Sequence, residues 1–167
     1  MGDYCRQMKS YFIVSGSNGQ LGSAIIASLK AQGNSYETIW LHDDISLNQM
    51  LMSDICARHD RIVLIHCAAK LWPKTSADIR LNTSIPGEIF DILKASGKKF
   101  IFVFVSTINV VIPQLMDNYT ISKRNAELSL DRENVIIVRP DLIWGNPYNG
   151  KHMNRIKKSI FKLFKKQ

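Results

Sequence analysis

A short apolar run that leads directly into a glycine-rich turn is the feature that most constrains the fold of this chain. The run is Tyr11 to Ser15 (YFIVS), and a helix-forming pattern follows the turn. A strand, a Gly-x-x-Gly-x-x-Gly turn and a helix in this order are typical of a dinucleotide-binding unit. In such a unit Gly16 would allow the tight turn, Gly19 the approach of backbone to a pyrophosphate, and Gly22 the packing of helix on strand. The predicted binding residues of the turn are Gly16, Asn18, Gly19, Gln20, Leu21 and Gly22.

A glycine-rich turn of this kind also occurs without a ligand, and that alternative remains open. The strand–turn–helix context makes it the weaker of the two interpretations. No Gly-Lys-Ser or Gly-Lys-Thr sequence follows the turn, so a mononucleotide P-loop is disfavoured.

Apolar runs and helix patterns alternate along the rest of the chain. After the first strand, the predicted strands are Tyr36 to Leu41, Arg61 to His66, Lys99 to Val105 and Asn134 to Val138. The predicted helices are Gln20 to Lys30, a helix capped by Ser46 that ends near Arg58, Ser76 to Ala95 with a kink or division at Pro86-Gly87, and Tyr119 to Leu130. Because the strands lack polar alternation and helices separate them, the predicted fold class is α/β, a doubly wound, Rossmann-like parallel sheet covered on both faces.

The chain has 167 residues, which is room for one domain with a substantial core. Its net charge of +8 is unevenly distributed, because residues 151–167 contain seven Lys or Arg and no acid, whereas residues 1–150 contain 15 basic against 14 acidic residues. Nucleic-acid binding is disfavoured, since no recognised binding module accompanies the basic tail. The tail is interpreted either as a basic amphipathic helix that contacts an anionic membrane or a partner, or as the first helix of a further lobe.

Compartment and metal content are also constrained by the sequence. No apolar run is long enough to cross a membrane, and the first ten residues have no signal-peptide pattern. The three cysteines, Cys5, Cys56 and Cys67, are widely spaced, which excludes a disulfide scaffold and favours the cytoplasm. No metal site is predicted, because His66 and Cys67 end a buried strand, where packing is the more common role.

Two aspartates follow the second strand. Asp43 and Asp44 lie about twenty residues beyond Gly22, where an acidic residue would hold the adenosine ribose of NAD. Neither is flanked by an Arg or Lys suited to a 2′-phosphate, which slightly favours NAD over NADP. The alternative, that the two aspartates only begin a helix whose dipole favours them, is weighted about equally.

A tyrosine and a lysine lie four residues apart in the predicted helix Tyr119 to Leu130. The spacing Tyr119-x-x-x-Lys123 places both side chains on one helix face. The lysine cation would lower the pKa of the phenol, and Tyr119 would then exchange a proton with a carbonyl or alcohol oxygen during hydride transfer. A hydroxyl at the end of the preceding strand, Ser106 or Thr107, would orient that oxygen.

With these motifs in place, the sequence resembles the short-chain dehydrogenase/reductases, in particular the extended branch that acts on nucleotide sugars. The resemblance spans about residues 9–147. The matching motifs, in order, are Gly16-x-x-Gly19-x-x-Gly22, His66-Cys67-Ala68-Ala69, Asn82, Ser106-Thr107, Tyr119-x-x-x-Lys123 with Ala126-Glu127, Arg139-Pro140 and Trp144-Gly145.

The resemblance implies roles for individual residues. Thr107 would be the substrate-orienting hydroxyl, with Ser106 as its neighbouring candidate, and Lys123 would also hold the nicotinamide ribose. Asp44-Ile45 would contact adenine, which competes with the ribose interpretation of Asp43. The remaining cofactor-binding positions implied in this way are Ala68, Ala69, Arg139 and Pro140.

Three departures from the family pattern stand out. The segment between Gly22 and Asp44 is short, so the usual second and third strands merge into one. Only eleven residues separate Thr107 from Tyr119, and only 22 follow Gly145, where extended members continue into a substrate lobe. The predicted domains are therefore an extension at 1–8, an NAD(P)-binding domain at 9–147 and a basic helix at 148–167.

The sequence thus predicts an NAD(P)-dependent oxidoreductase or epimerase of a nucleotide sugar. The resemblance implies a 4-keto-sugar reductase in surface-polysaccharide synthesis, with a homo-oligomer or a partner subunit as further expectations. The alternative is a truncated, non-catalytic dinucleotide-binding protein or subunit that lacks the substrate lobe.

Overall fold

The computed structural model describes residues 10–141, which form alternating strands and helices. The strands are β1 (Tyr11–Ser15), β2 (Tyr36–Ile39), β3 (Arg61–His66), β4 (Lys99–Val105) and β5 (Val135–Val138). The helices are α1 (Gln20–Ala31), α2 (Ile45–Arg58), α3 (Ser76–Asn82), α4 (Ser84–Ala95) and α5 (Asn118–Ser129), with a short 3-10 helix at Ile108–Val111. The predicted terminal segments 1–8 and 148–167, and the Trp144-Gly145 motif, lie outside the described residues.

The five strands form one parallel sheet in the order β2-β1-β3-β4-β5. The register places Ser15 beside His66, and His66 beside Phe104. All strands therefore end at the same side of the sheet, here called the carboxyl edge. The order reverses between β1 and β3, and in open parallel sheets of this kind ligands bind outside the strand ends at such a reversal. The predicted doubly wound α/β fold is confirmed.

The core lies mainly on one face of the sheet. Buried side chains of β3 and β4, such as Leu64 and Phe102, pack there against Met52 of α2, Ile89 of α4 and Leu130 at the end of α5. Helix α1 connects β1 to β2 in the opposite direction to α2, so the right-handed crossover rule places it on the other face. That face is less completely covered, since Ile136 and Val138 of the edge strand β5 are 51% and 42% exposed.

Four element boundaries differ from the prediction for local reasons. The long predicted helix divides at Thr83, and Pro86 lies in the first turn of α4, where its missing N–H breaks no helical hydrogen bond. Asp44, and not Ser46, caps α2, since its carboxylate accepts a hydrogen bond from the Ser46 N–H. Asn134 precedes β5 because its φ of 67° is incompatible with a strand. The second strand ends at Ile39, two residues before the predicted Leu41.

No helix in the span 10–141 is long and apolar enough to cross a membrane.

Candidate functional site

The glycine turn is held against the segment that follows β3. Gly16 has a φ of +72°, and a Cβ built on it would lie 2.5 Å from the Ala68 backbone nitrogen. A Cβ on Gly22 would lie 2.3 Å from the Gly16 carbonyl oxygen. Neither distance is physically possible, so both positions require glycine. Gly16 therefore allows the tight turn, as predicted, whereas Gly22 lets helix α1 approach that turn; contact of either residue with a cofactor stays a prediction.

The N-terminus of α1 is open toward the carboxyl edge. Its N-cap residue is Gly19, which supplies no capping side chain, so the first helical N–H groups keep their capacity to bind an acceptor. The side-chain nitrogen of Gln20 is buried, and no hydrogen-bond partner for it is found among residues 10–141. An open helix N-terminus, an unpartnered buried amide and a turn with glycine at positions 16, 19 and 22 fit the pyrophosphate of a dinucleotide.

The segment after β3 is fixed by a buried asparagine. The Asn82 side-chain oxygen accepts from the Lys70 N–H at 2.8 Å, and its nitrogen donates to the Lys70 carbonyl at 2.8 Å. The same nitrogen lies 3.2 Å from the Ser122 hydroxyl of α5. Asn82 thus ties the segment that contains Ala68 and Ala69 to the helix of Tyr119 and Lys123. Sequence reasoning noted Asn82 as a matching position but missed this role; a polar residue between helical apolar positions was the available signal.

Lys123 is buried beneath the carboxyl edge. It is 1% exposed, its Nζ donates to the Val105 carbonyl at 2.8 Å, and it lies 4.4 Å from the centre of the Phe104 ring. Burial lowers the pKa of Lys123 to about 8, while the nearby Cys67 and Glu127 act in the opposite direction. Lys123 therefore joins α5 to the end of β4 and is still mostly cationic at neutral pH.

The predicted effect of Lys123 on Tyr119 is wrong in direction. Burial, with a smaller effect of the Asp117 charge, raises the pKa of the Tyr119 phenol above its usual value. The Lys123 nitrogen hydrogen-bonds to the Val105 carbonyl. Tyr119 is therefore a protonated acid at neutral pH and not a phenolate.

The two candidate hydroxyls after β4 differ in their surroundings. Ser106 is 3% exposed, and no hydrogen-bond partner of its hydroxyl is found in the described chain. Thr107 is only partly buried, and its hydroxyl oxygen accepts from the Asn109 N–H at 3.3 Å. Thr107 keeps its hydroxyl proton for donation, so both remain candidates for orienting a substrate oxygen.

His66 and Cys67 have packing roles. The His66 Nδ1 lies 2.9 Å from the Ser15 hydroxyl, and its ring stacks on Phe104. Complete burial lowers the pKa of His66 to about 3, and burial raises the pKa of the Cys67 thiol to about 11, so both are neutral at pH 7. Within residues 10–141, no group of three His, Cys, Asp or Glu side chains is arranged to hold a metal ion.

The two aspartates after β2 make different contacts. Asp44 caps α2, as the alternative interpretation expected, and Ile45 begins that helix half-buried. The Asp43 carboxylate lies 3.1 Å from the Arg80 guanidinium of α3. Neither aspartate is flanked by a basic residue in the sequence, but folding brings Arg80 to Asp43 from 37 residues away. Nothing in the local sequence could have indicated this.

Arg139 and Pro140 contact α5 and the 3-10 helix, respectively. The Arg139 guanidinium donates two hydrogen bonds to the Glu127 carboxylate, at 3.0 and 2.7 Å. The Pro140 carbonyl accepts from the Ile108 N–H at 3.0 Å. These contacts hold the end of β5 and the 3-10 helix to α5; a direct contact of either residue with a cofactor stays a prediction.

No protein-family model and no curated protein sequence matches the chain. Solved structures do. A dTDP-4-dehydrorhamnose reductase from Bacillus anthracis in complex with NADP is 22% identical, with a TM-score of 0.69, over 91% of this chain and 61% of that one. A short-chain dehydrogenase from Streptomyces avermitilis is 19% identical, with a TM-score of 0.69, over 87% of this chain and 70% of that one.

A third similar structure is the enzyme WbmG from Bordetella bronchiseptica in complex with NAD and UDP, which is 18% identical with a TM-score of 0.60. The match covers 77% of this chain and 51% of WbmG. The chain thus spans about three fifths of the B. anthracis reductase and half of WbmG. The solved structures similar to this chain are reductases and short-chain dehydrogenases, as the sequence resemblance predicted, and at these identities the likeness establishes the fold.

Proposed function

We propose that this chain is the cofactor-binding part of an NAD(P)-dependent oxidoreductase that acts on a nucleotide sugar. The observation that carries the proposal is the position of the glycine turn beside the Tyr119–Lys123 helix at one carboxyl edge. Gly16 contacts the Cys67-Ala68 backbone, and Asn82 joins the end of the same segment, at Lys70, to Ser122 of α5. The similar structures support the proposal, since one contains NADP and another contains NAD and UDP.

Each residue of the proposed site would have its own role in the reaction. A bound dinucleotide would supply or accept the hydride, held by the turn and the open end of α1. In the direction of carbonyl reduction, the Tyr119 phenol would donate its proton to the substrate oxygen and become a phenolate. Lys123, cationic at neutral pH, would stabilise that phenolate, and Thr107 or Ser106 would hydrogen-bond the same oxygen. The raised pKa of Tyr119 suits an acid better than a base.

The finer proposal is a 4-keto-sugar reductase of surface-polysaccharide synthesis, working in the cytoplasm. It rests on the motif order and on the reductases among the similar structures. A homo-oligomer or a partner subunit would complete the substrate side, and contact of residues 151–167 with a membrane surface is part of the same proposal.

A second candidate function is dinucleotide binding without independent catalysis. The observation that favours it is the Lys123 amine, which is committed to the Val105 carbonyl and is 1% exposed. A lysine held in this way would stabilise the fold and would not reach a nicotinamide ribose.

Binding and turnover with a matched pair of tyrosine variants separate the two candidates. NADH and NADPH are titrated first, and dTDP-4-dehydrorhamnose is then supplied with the tighter cofactor. We expect Tyr119→Phe to lower turnover by roughly 10²–10⁴-fold while the cofactor Kd stays within about threefold. Tyr36→Phe, on β2, is the control and should leave both quantities unchanged. Cofactor binding without turnover favours the second candidate, and no binding of either cofactor at millimolar concentration rejects both.

A further inference from the structure

Residues 108–116, which lie between β4 and α5, are bound by an arginine of that helix. The Arg124 Nε donates to the Val110 carbonyl at 3.2 Å, and its Nη2 donates to the carbonyls of Ile112 and Leu115 at 3.2 and 3.4 Å. Within residues 10–141 the Arg124 guanidinium pairs with no carboxylate. Its hydrogen bonds therefore all go to this one segment, here called the 108–116 segment.

The sequence explains why the segment needs a donor from another element. In a 3-10 helix each carbonyl accepts from the N–H three residues later, and for Val110 that residue is Pro113, which has no N–H. Val110 is buried, and a buried carbonyl needs a hydrogen-bond partner. The Arg124 Nε supplies that partner.

Apolar burial contributes little to the position of the 108–116 segment. Val110 is its one buried residue, whereas Val111, Ile112 and Met116 are 54%, 40% and 65% exposed. Exposed side chains of this kind stabilise a conformation weakly. The segment is therefore held mainly by its hydrogen bonds with Arg124, and at its start by the bond from the Ile108 N–H to the Pro140 carbonyl.

The segment connects two groups of the proposed site. Thr107 begins its 3-10 helix, since the Thr107 carbonyl accepts from the Val110 N–H at 3.3 Å and the Thr107 hydroxyl accepts from the Asn109 N–H at 3.3 Å. Tyr119 lies on α5, the helix that also carries Arg124. Arg124 thus joins the helix of the phenol to the 3-10 helix that begins at Thr107.

We infer that Arg124 is a positioning residue of the proposed site, which fixes the Thr107 hydroxyl relative to the Tyr119 phenol by holding the 108–116 segment on α5. The inference rests on the proposed reductase function and adds to it a residue that acts through other groups. Both hydroxyls must reach the same substrate oxygen, and a misplacement of about 1 Å can cost a reaction about 10²-fold. Loss of Arg124 should therefore lower kcat and leave cofactor binding unchanged.

Turnover of dTDP-4-dehydrorhamnose with the tighter-binding cofactor tests this role. We expect Arg124→Met to lower kcat by roughly 10–100-fold, while the cofactor Kd stays within about threefold. Arg124→Lys keeps the charge but replaces the planar fork by one amine, so it should restore only part of the rate. In a Tyr119→Phe chain, Arg124→Met should lower turnover by less than about threefold further, because both changes affect the same step. Equal losses in the two backgrounds would make Arg124 a structural residue only and overturn the inference.

Amide hydrogen exchange of the cofactor-free chain tests the contact without turnover. In Arg124→Met, exchange within the 108–116 segment should be at least about tenfold faster, and exchange in β4 should not change. Arg58→Met is the matched control, because Arg58 binds Glu37 and Asp54 and no residue of the segment; it should change neither exchange nor kcat. Unchanged exchange in Arg124→Met, or faster exchange with an unchanged kcat, overturns the inference and leaves the proposed function standing. If the wild-type chain shows no turnover, the proposed reaction fails and the positioning role fails with it.

Discussion

The glycine turn and helix α5 meet the same edge of the sheet but are built on different principles. The turn is fixed by backbone contacts, in which Gly16 and Gly22 leave no space for a Cβ atom. The helix is fixed by a buried cation, since Lys123 donates to the Val105 carbonyl. Close backbone contacts, as in the turn, restrict a position to glycine, so they can be recognised in a sequence. The environment of a buried charge depends on residues from several elements, so it cannot be recognised in the same way.

The largest effect is expected from a side chain added to the turn. Gly16→Ala places a Cβ against the Ala68 backbone and should destabilise the protein by roughly 3–5 kcal/mol. Gly33→Ala is the matched control, because Gly33 has a similar φ of +68° but no atom within 4 Å of the added Cβ. It should cost only about 1 kcal/mol. Urea unfolding of both variants checks this. Equal losses of unfolding free energy would show that the turn is not in close contact with the segment after β3.

A smaller effect is expected from the buried cation, as a dependence of stability on pH. The pKa of Lys123 is about 8 in the folded protein and near its ordinary value when unfolded, so between these values the unfolded chain binds a proton that the folded chain has released. Stability should therefore rise with pH in this range. Relative to Lys123→Met, the wild-type chain should gain about 2 kcal/mol in unfolding free energy between pH 7.5 and 9.5.

Cys67, whose pKa is raised to about 11, acts in the opposite direction in the upper part of this range, and Tyr119 and Tyr11 do so near and above pH 10. Both chains contain these groups, so the difference between the two pH profiles reports mainly on the lysine. Urea titrations at pH 7.5, 8.5 and 9.5 provide the measurement. Parallel pH profiles for the wild-type chain and Lys123→Met would mean that Lys123 is solvated and available at the site.

The smallest effect is expected from the contact that joins the two regions. Asn82 and Asn48 each bind both backbone groups of one loop residue, but only Asn82 also reaches α5. Asn82→Ala and Asn48→Ala should cost a similar free energy, roughly 2 kcal/mol each. The NADH affinity should fall about fivefold further in Asn82→Ala, because only that variant releases the segment of Ala68 and Ala69. Equal affinities of the two variants would show that the regions act independently.

The contrast between these regions also explains how far the sequence could predict the molecule. The five strands and the glycine turn were predicted because apolar runs and obligatory glycines are local signals. Tyr119 and Lys123 were placed on one helix by their spacing, yet the predicted pKa shift of Tyr119 was wrong in sign. That sign depends on burial and on where the Lys123 amine binds, both of which are set by packing.

The sequence did not predict the contacts between residues that are far apart in the chain. Arg80 meets Asp43 because α2, which follows Asp43, packs against α4, which follows α3. Asn82 holds a loop that precedes it by twelve residues. The polar position of Asn82 in its helix could be seen in the sequence, but the partners of both residues are identified only by the folded arrangement.

The most direct test of the central claim is NADH binding by the wild-type chain and by Gly19→Val. Gly19 has a φ of −77°, which valine can adopt, and a Cβ there would be 3.2 Å from the Gly16 oxygen, a tight contact that a shift of a few tenths of an ångström would relieve. The added side chain would occupy the space that the pyrophosphate needs. We predict that the variant keeps its unfolding free energy within about 1 kcal/mol and loses at least about tenfold in NADH affinity. Unchanged NADH affinity in a folded Gly19→Val chain would contradict a dinucleotide site at this turn.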